Sequence, residues 1–66
     1  MLTKIEMAAH VLVEVKKGRR PTRVSLDRTM GCQLGSDHDS QLCNQAVDYL
    51  IEQNQIFDAQ GHLVVD

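Results

Sequence analysis

The feature that most constrains this chain is an apolar stripe that recurs at helical spacing in its second half. The stripe comprises Leu42, Cys43, Ala46, Val47, Leu50 and Ile51. Because these positions lie on one side of an α-helix, the pattern predicts an amphipathic helix that ends near residue 53. Ser36, Asp37 and Asp39 precede it, and each of them can cap the first free backbone N–H groups. The opposite side of this helix is polar and carries Gln41, Asn44, Gln45, Asp48, Glu52 and Gln55.

Another helix is predicted at the start of the chain, over residues 4–17. Thr3 and Glu6 have the spacing of a capping box, in which each residue satisfies the backbone of the other. Gly18 suits the position after the last helical residue. The apolar side of this helix is expected to consist of Ile5, Ala8, Ala9, Leu12 and then Val15 or Lys16, which recur at helical spacing.

The middle and the end of the chain carry shorter signals. Residues 22–33 are compatible with either a strand or a helix, and we expect a brief strand over 22–24 followed by a helix over about 25–33. Near the end, two short apolar runs flank the sequence Asp58-Ala59-Gln60-Gly61. Asp at its first position and Gly at its fourth favour a type I turn followed by a bulge. The chain is therefore expected to end in a β-hairpin.

These elements predict an α+β fold of three helices followed by a C-terminal β-hairpin. Sixty-six residues suffice for one domain, residues 1–66, with a small core. Because Tyr49 and Phe57 are the only aromatic residues, that core must be mainly aliphatic. The residues expected to meet in it are Ile5, Ala8, Ala9, Leu12, Leu26, Met30, Leu42, Ala46, Val47, Leu50, Ile56 and either Leu63 or Val64.

The order of elements and the sequence of residues 46–57 resemble the winged-helix domain superfamily. In Ala46-Val47-Asp48-Tyr49-Leu50-Ile51-Glu52-Gln53-Asn54-Gln55-Ile56-Phe57, paired apolar positions lead into a polar turn and then into an Ile-containing strand. This pattern is similar to the passage from a winged-helix third helix into its wing. The resemblance implies a helix-turn-helix protein that binds double-stranded DNA, with the third helix in the major groove. It therefore predicts a small DNA-binding transcriptional regulator, although a sizeable minority of the superfamily binds proteins instead.

Charge is divided unevenly along the chain. Residues 1–31 hold all seven Lys and Arg residues and three acids, for a formal charge of +4. Residues 32–66 hold six acids and neither Lys nor Arg, for a formal charge of −6. Clustered positive charge attracts the phosphate backbone, and Gln and Asn can pair with adenine in the major groove. The candidate DNA-binding residues are therefore Lys16, Lys17, Arg19, Arg20, Arg23, Arg28, Gln41, Asn44 and Gln45.

The acidic side of the third predicted helix supports a competing hypothesis. Asp48 and Glu52 lie on the same helix as the three amide side chains, and carboxylates repel phosphates. In this hypothesis the chain is a non-catalytic protein-interaction module, an adaptor or an inhibitor, that presents this side to a basic partner. The DNA-binding hypothesis also predicts a homodimer, because one module of this size buries too little DNA surface for high specificity. DNA is favoured if the basic residues of 19–28 flank the same side as Gln41 and Gln45, and a protein partner if they do not.

Cys32, His38 and Cys43 raise the question of a metal or redox site. Their spacing, Cys-x5-His-x4-Cys, matches no common zinc pattern, so we expect two free thiols, no metal and no cofactor. A metal- or redox-sensing winged helix that uses both cysteines is a third hypothesis. No phosphate loop or zincin motif is present, and the chain is expected not to be an enzyme. Without a signal-peptide pattern or a membrane span, a cytoplasmic location is expected.

Overall fold

The computed structural model describes residues 2–65 and shows three helices followed by a two-stranded antiparallel sheet. The helices are α1 (Lys4–Lys16), α2 (Arg23–Leu34) and α3 (Ser40–Glu52), with a 3-10 turn at Gly35–Asp37 between the last two. The strands are β1 (Phe57–Ala59) and β2 (His62–Val64). The α+β fold class expected from the sequence is confirmed. Among the described residues, no helix is both long and apolar enough to cross a membrane.

The start and the end of α1 are set by local interactions. The Thr3 hydroxyl accepts a hydrogen bond from the Glu6 backbone N–H (3.2 Å), and the Glu6 carboxylate accepts one from the Thr3 backbone N–H (3.0 Å). These bonds form the expected capping box. They also lower the pKa of Glu6, and the hydrogen bond from the Thr3 backbone N–H is the larger cause. After the C-cap residue Lys17, Gly18 has a φ of +79°, a conformation that glycine adopts without strain.

The segment that leads into α2 departs from the expected strand-then-helix arrangement. Thr22 makes a single β-bridge, to His62, and its hydroxyl accepts a hydrogen bond from the Ser25 backbone N–H (3.1 Å). This side-chain cap starts α2 directly after Thr22. The strand expected over 22–24 is therefore wrong, and the helix expected over 25–33 extends farther at both ends.

α3 confirms the strongest pattern in the sequence. The Asp39 carboxylate caps the helix by accepting hydrogen bonds from the backbone N–H groups of Gln41 (2.9 Å) and Leu42 (3.2 Å). The apolar stripe is half-buried at its edges, at Leu42 and Ile51. It is buried at its centre, at Cys43, Ala46, Val47 and Leu50. The outer side of α3 is left polar and exposed.

The hairpin has a tighter turn than expected. The register of β1 and β2 places Ala59 opposite His62, so that only Gln60 and Gly61 form the loop. Both loop residues have a positive φ, 56° and 87°, which is the pattern of a two-residue type I′ turn. The type I turn with a bulge that we expected over 58–61 is therefore wrong. The type I′ geometry prevails because its twist matches that of the paired strands.

The core uses only part of the side of α1 that we expected. Ala8 is buried as expected, and so is Val15, whereas Ile5 is 58% exposed, Ala9 is exposed and Leu12 is half-buried. The stripe formed by Met7, Val11 and Val15 is buried, because it offers more apolar surface than a stripe centred on alanine. The expected core residues outside α1 are confirmed, with Leu63 as the buried member of the pair Leu63 or Val64, except that Leu42 is half-buried. The buried apolar residues are Met7, Ala8, Val11, Val15, Leu26, Met30, Cys43, Ala46, Val47, Leu50, Ile56 and Leu63.

The two sides of α1 allow a matched test of this core. Val11 is fully buried, whereas Val13 on the same helix is 59% exposed. We expect Val11→Ala to lower the free energy of unfolding by about 2 kcal/mol, because it removes buried methyl groups. Val13→Ala is expected to change it by no more than about 0.5 kcal/mol. Urea unfolding of dilute protein measures both, and equal losses in the two variants would contradict the core described here.

Candidate functional site

The nine candidate DNA-binding residues fall into two groups in the structure. The first group, which we call the basic end, lies at the end of α1 and in the connector that follows. It consists of four exposed residues, Lys16, Lys17, Arg19 and Arg20. The second group lies on α2 and on the outer side of α3. It consists of Arg23, Arg28, Gln41, Asn44 and Gln45, of which Arg23 is half-buried and the others are exposed.

The basic end is held against the hairpin. The backbone carbonyl of Arg20 accepts a hydrogen bond from Nδ1 of His62 (2.9 Å), and the carbonyl of Pro21 accepts one from the Leu63 backbone N–H (2.8 Å). Arg20, Val15 and Leu63 also line an open depression of about 380 Å³ between α1 and the hairpin. These contacts join the connector to β2 and give the basic end a defined place on the surface.

Lys17 of the basic end also has a structural role. Its ammonium group pairs with the buried carboxylate of Glu14 (Nζ–Oε2 3.1 Å), and the Gln33 side chain donates to the same oxygen from α2 (3.2 Å). The hydrogen bond from Lys17, followed by that from Gln33, lowers the pKa of Glu14, although burial opposes this effect. The charged carboxylate of Glu14 therefore joins α1 to α2.

The second group belongs to a larger surface, the α2–α3 face, formed by the first half of α2 and the outer side of α3. We define it by Arg23, Val24, Asp27, Arg28, Gln41, Asn44, Gln45, Asp48 and Glu52. Arg23 spans the two helices, because its guanidinium lies 2.7 Å from a carboxylate oxygen of Asp48. Asn44 and Val24 border a shallow groove with this arginine. The charge of Arg23 is thus opposed by a carboxylate of α3 itself.

The two ends of α1 lie beside different parts of the structure. The first turn of α1 adjoins the outer side of α3, where Lys4 borders a groove with Gln45 and Asp48 and lies 5.1 Å from the ring centroid of Tyr49. Lys16 is at the other end of α1, about 18 Å from Lys4 at a rise of 1.5 Å per residue. Arg23 lies beside Asn44, whereas Lys16 and Lys17 are at the end of α1 that is farther from Lys4.

Sequence reasoning misses a hydrogen-bonded cluster at the turn between α2 and α3. Asp27 contacts Nε2 of His38 through one carboxylate oxygen (2.8 Å) and accepts a hydrogen bond from the Ser40 hydroxyl through the other (3.1 Å). In a catalytic triad, the nucleophilic serine hydroxyl is hydrogen-bonded to a histidine imidazole. Among the described residues, the Ser40 hydroxyl and the His38 imidazole both contact Asp27 instead. The cluster therefore positions the turn. The polar run before α3 is the only sign of this cluster in the sequence. The position of Asp27 on the preceding helix gives no sign that it contacts that run.

The two cysteines occupy different environments. Cys32 is exposed and Cys43 is buried, both as free thiols. Burial, and to a smaller extent the carboxylate of Asp27, raises the pKa of Cys43 to about 11, although Arg23 opposes the shift. Within residues 2–65, no group of three His, Cys, Asp or Glu side chains is placed to hold a metal ion. The Cys43 thiol stays protonated at neutral pH and packs as a core residue.

We expect the two thiols to differ in reactivity. At pH 8, a thiol with a pKa of about 11 has a thiolate fraction at least about 100-fold below that of an ordinary cysteine. Reaction with dithionitrobenzoate should therefore label Cys32 rapidly and Cys43 only slowly. Cys32→Ser and Cys43→Ser assign the two phases. Rapid labelling of the folded Cys32→Ser variant would show that Cys43 is accessible and contradict its place in the core.

The Glu14 carboxylate gives a second expected outcome, which concerns stability against pH. The pKa of Glu14 is lower in the folded chain than in the unfolded chain, so its carboxylate stabilises the fold fully above the unfolded pKa of about 4.3. This stabilisation is lost as the pH falls through the folded pKa. The free energy of unfolding should therefore fall more steeply from about pH 5 to pH 3 in the wild type than in Glu14→Gln. Glu52→Gln, on the exposed side of α3, is the control. Identical slopes for wild type and Glu14→Gln would contradict the assignment.

Comparison with protein-family models, curated proteins and solved structures finds no match for this chain. A function must therefore be inferred from its own charges and contacts. Two observations bear most directly on it: the ion pair between Arg23 and Asp48, and the exposed carboxylates on the outer side of α3.

Proposed function

We propose that this chain is a non-catalytic protein-interaction module, an adaptor or an inhibitor, that binds a basic protein segment on the α2–α3 face. The observation that carries the proposal is the acidic outer side of α3, where the Asp48 side chain is 68% exposed although it pairs with Arg23. Glu52 is exposed one turn later, and α3 contains neither Lys nor Arg. Lys or Arg side chains of a partner can pair with these exposed carboxylates. Such complementary charges promote association and fix the orientation of the partner.

The same charges disfavour insertion of α3 into a DNA groove. The three amide side chains of α3 can hydrogen-bond to base edges, but Asp48 and Glu52 on the same side would approach the phosphates. The nearby cation Arg23 is already paired with Asp48. The basic end is instead held against the hairpin. DNA recognition uses phosphate-binding and base-reading groups together, and carboxylates beside the base-reading amides oppose that use.

An exposed apolar side chain adds a second feature typical of a protein interface. Val24 is 72% exposed, more than any other large apolar residue described, and it borders the groove that contains Asp27 and Asn44. Protein interfaces combine an apolar centre with a polar rim. The α2–α3 face has this composition, with Val24 as the apolar centre and with carboxylates, amides and the paired Arg23 around it. It therefore suits a partner segment that presents both an apolar side chain and basic residues.

A second candidate function is DNA binding, as in a small winged-helix transcriptional regulator. The basic end supports it, because four exposed cations lie within five consecutive positions of the chain. Contacts of this kind attract phosphates without reading base sequence, so the affinity would be modest and would fall steeply with salt. In this candidate the basic end provides most of the binding, and the α2–α3 face contributes little.

A titration with two probes separates the candidates. ¹H–¹⁵N spectra of the full chain are recorded with an amphipathic peptide of leucine and arginine and, separately, with a mixed-sequence duplex, both at about 50 mM salt, where electrostatic binding is strong. We expect the peptide to shift the amide signals of Val24, Asn44 and Asp48 and to leave those of the basic end unchanged. A duplex that shifts the basic end, together with a peptide that shifts nothing, would overturn the proposal in favour of DNA binding.

Two double variants serve as matched controls for this titration. Asp48→Asn with Glu52→Gln is expected to weaken peptide binding about threefold to tenfold, because an exposed charge contributes roughly 0.2–1 kcal/mol. Arg19→Gln with Arg20→Gln changes the same number of charges at the basic end and is expected to leave peptide binding unaltered. Peptide binding that is insensitive to the acidic pair would place the partner surface elsewhere and contradict the proposal.

A further inference from the structure

The open depression between the end of α1 and the hairpin combines apolar walls with one charged side chain. Its volume is about 380 Å³, at the lower end of the roughly 300–1,000 Å³ that is typical of small-ligand sites. Its apolar lining consists of Val15, Ala59, Leu63, Val64 and Val65. Val15 and Leu63 are buried in the core, so packed side chains lie behind the depression. A surface of this kind suits the hydrocarbon part of a small molecule.

Of the described residues that line the depression, Arg20 alone carries a charge. Arg20 is exposed, and within residues 2–65 no carboxylate lies within ion-pair distance of its guanidinium. Its backbone has a φ of +52°, which is uncommon for a residue other than glycine. Hydrogen bonds from His62 to the Arg20 carbonyl and from Leu63 to the Pro21 carbonyl hold this backbone against β2. The lining therefore includes a guanidinium that no described carboxylate neutralises.

The two described acids nearest in sequence to this lining are engaged elsewhere. Glu14 is buried and pairs with Lys17 (3.1 Å). The Asp58 carboxylate accepts a hydrogen bond from the Gly61 backbone N–H (2.8 Å) within the hairpin turn. Asp66 lies outside the described residues, and its effect is tested separately. The described surroundings of the guanidinium thus leave its charge available to an anion.

We propose that this depression binds a small carboxylate that carries a short hydrocarbon chain. The carboxylate pairs with Arg20, because the planar guanidinium presents N–H groups that match two carboxylate oxygens. The hydrocarbon chain covers the apolar lining beside it, which an inorganic anion would leave in water. The depression shares no residue with the α2–α3 face, so this site and the proposed function can fail independently.

Titration of the full chain with sodium hexanoate tests the site, and hexylammonium chloride is the probe of equal chain length and opposite charge. In ¹H–¹⁵N spectra, hexanoate is expected to shift the amide signals of Arg20, Leu63 and Val64 saturably. The dissociation constant should be on the order of 1 mM, because the ligand is small and the depression is open. From butanoate to hexanoate, affinity should rise about twofold to fourfold per methylene. Equal shifts with hexylammonium, or affinity that does not depend on chain length, would overturn the proposal.

Two arginine variants separate a role of Arg20 from an effect of overall charge. Arg20→Gln removes the guanidinium that lines the depression and is expected to weaken hexanoate binding about threefold to fivefold. Arg19→Gln removes the neighbouring exposed cation, which does not line the depression, and should change binding by less than about twofold. Equal losses in the two variants would show that only overall charge matters and would contradict the proposed site.

Two further variants concern carboxylates of the chain itself. Ala59→Asp places a carboxylate in the lining at an exposed position, where the fold tolerates it. It should weaken hexanoate binding at least about fivefold, because it repels the ligand and competes for Arg20. Asp66→Asn is expected to change binding by less than about twofold. Unaltered binding in Ala59→Asp would overturn the proposal, as would binding seen only in Asp66→Asn, since the chain's own carboxylate would then be the occupant.

Discussion

The packing of α1 against α3 is the contact on which the rest of this small fold depends. Met7, Val11 and Val15 lie in one buried cluster with residues of α3, and α1 contacts α2 and β2 as well as α3. A chain of 66 residues buries only about 60% of the surface that its unfolded form exposes, so few contacts are available to replace this one. The side of α1 that turns inward decides which apolar residues remain outside. The exposure of Ile5 and Val13 is therefore a consequence of the same packing that forms the core.

The parts of the fold that could be predicted from the sequence are those set by neighbouring residues. The capping box of Thr3 and Glu6, the cap at Asp39 and the stripe of α3 each depend on residues within a few positions of one another. The buried side of α1 could not be predicted in this way, because two apolar stripes have the same spacing on one helix. The choice between them is made by contacts with α3 and the hairpin, which are distant in sequence. The start of α2 was obscured by Thr22, which both caps the helix and bridges to β2.

The candidate surface shows the same division between local and long-range information. The sequence identified the clustered cations and the polar side of α3, but it gave no indication that Arg23 pairs with Asp48, 25 positions later. That pair changes the interpretation of the α2–α3 face, since it removes a cation from phosphate binding. The contact between Asp27 and His38 was likewise not predictable, because it joins a helix to the turn that follows it. The exposed carboxylates of the α2–α3 face and the cations of the basic end suit two different kinds of contact, and neither requires a catalytic group.

The packing of the whole domain depends on which side of α1 enters the core. Methyl–methyl nuclear Overhauser effects in dilute, methyl-labelled protein measure it directly, because they report pairs of side chains in contact within the monomer. We expect contacts from Met7 and Val11 to the buried methyl groups of α3, and none from Ile5 or Val13 to those groups. The reverse pattern, with Ile5 and Val13 in contact with the buried residues of α3, would contradict it.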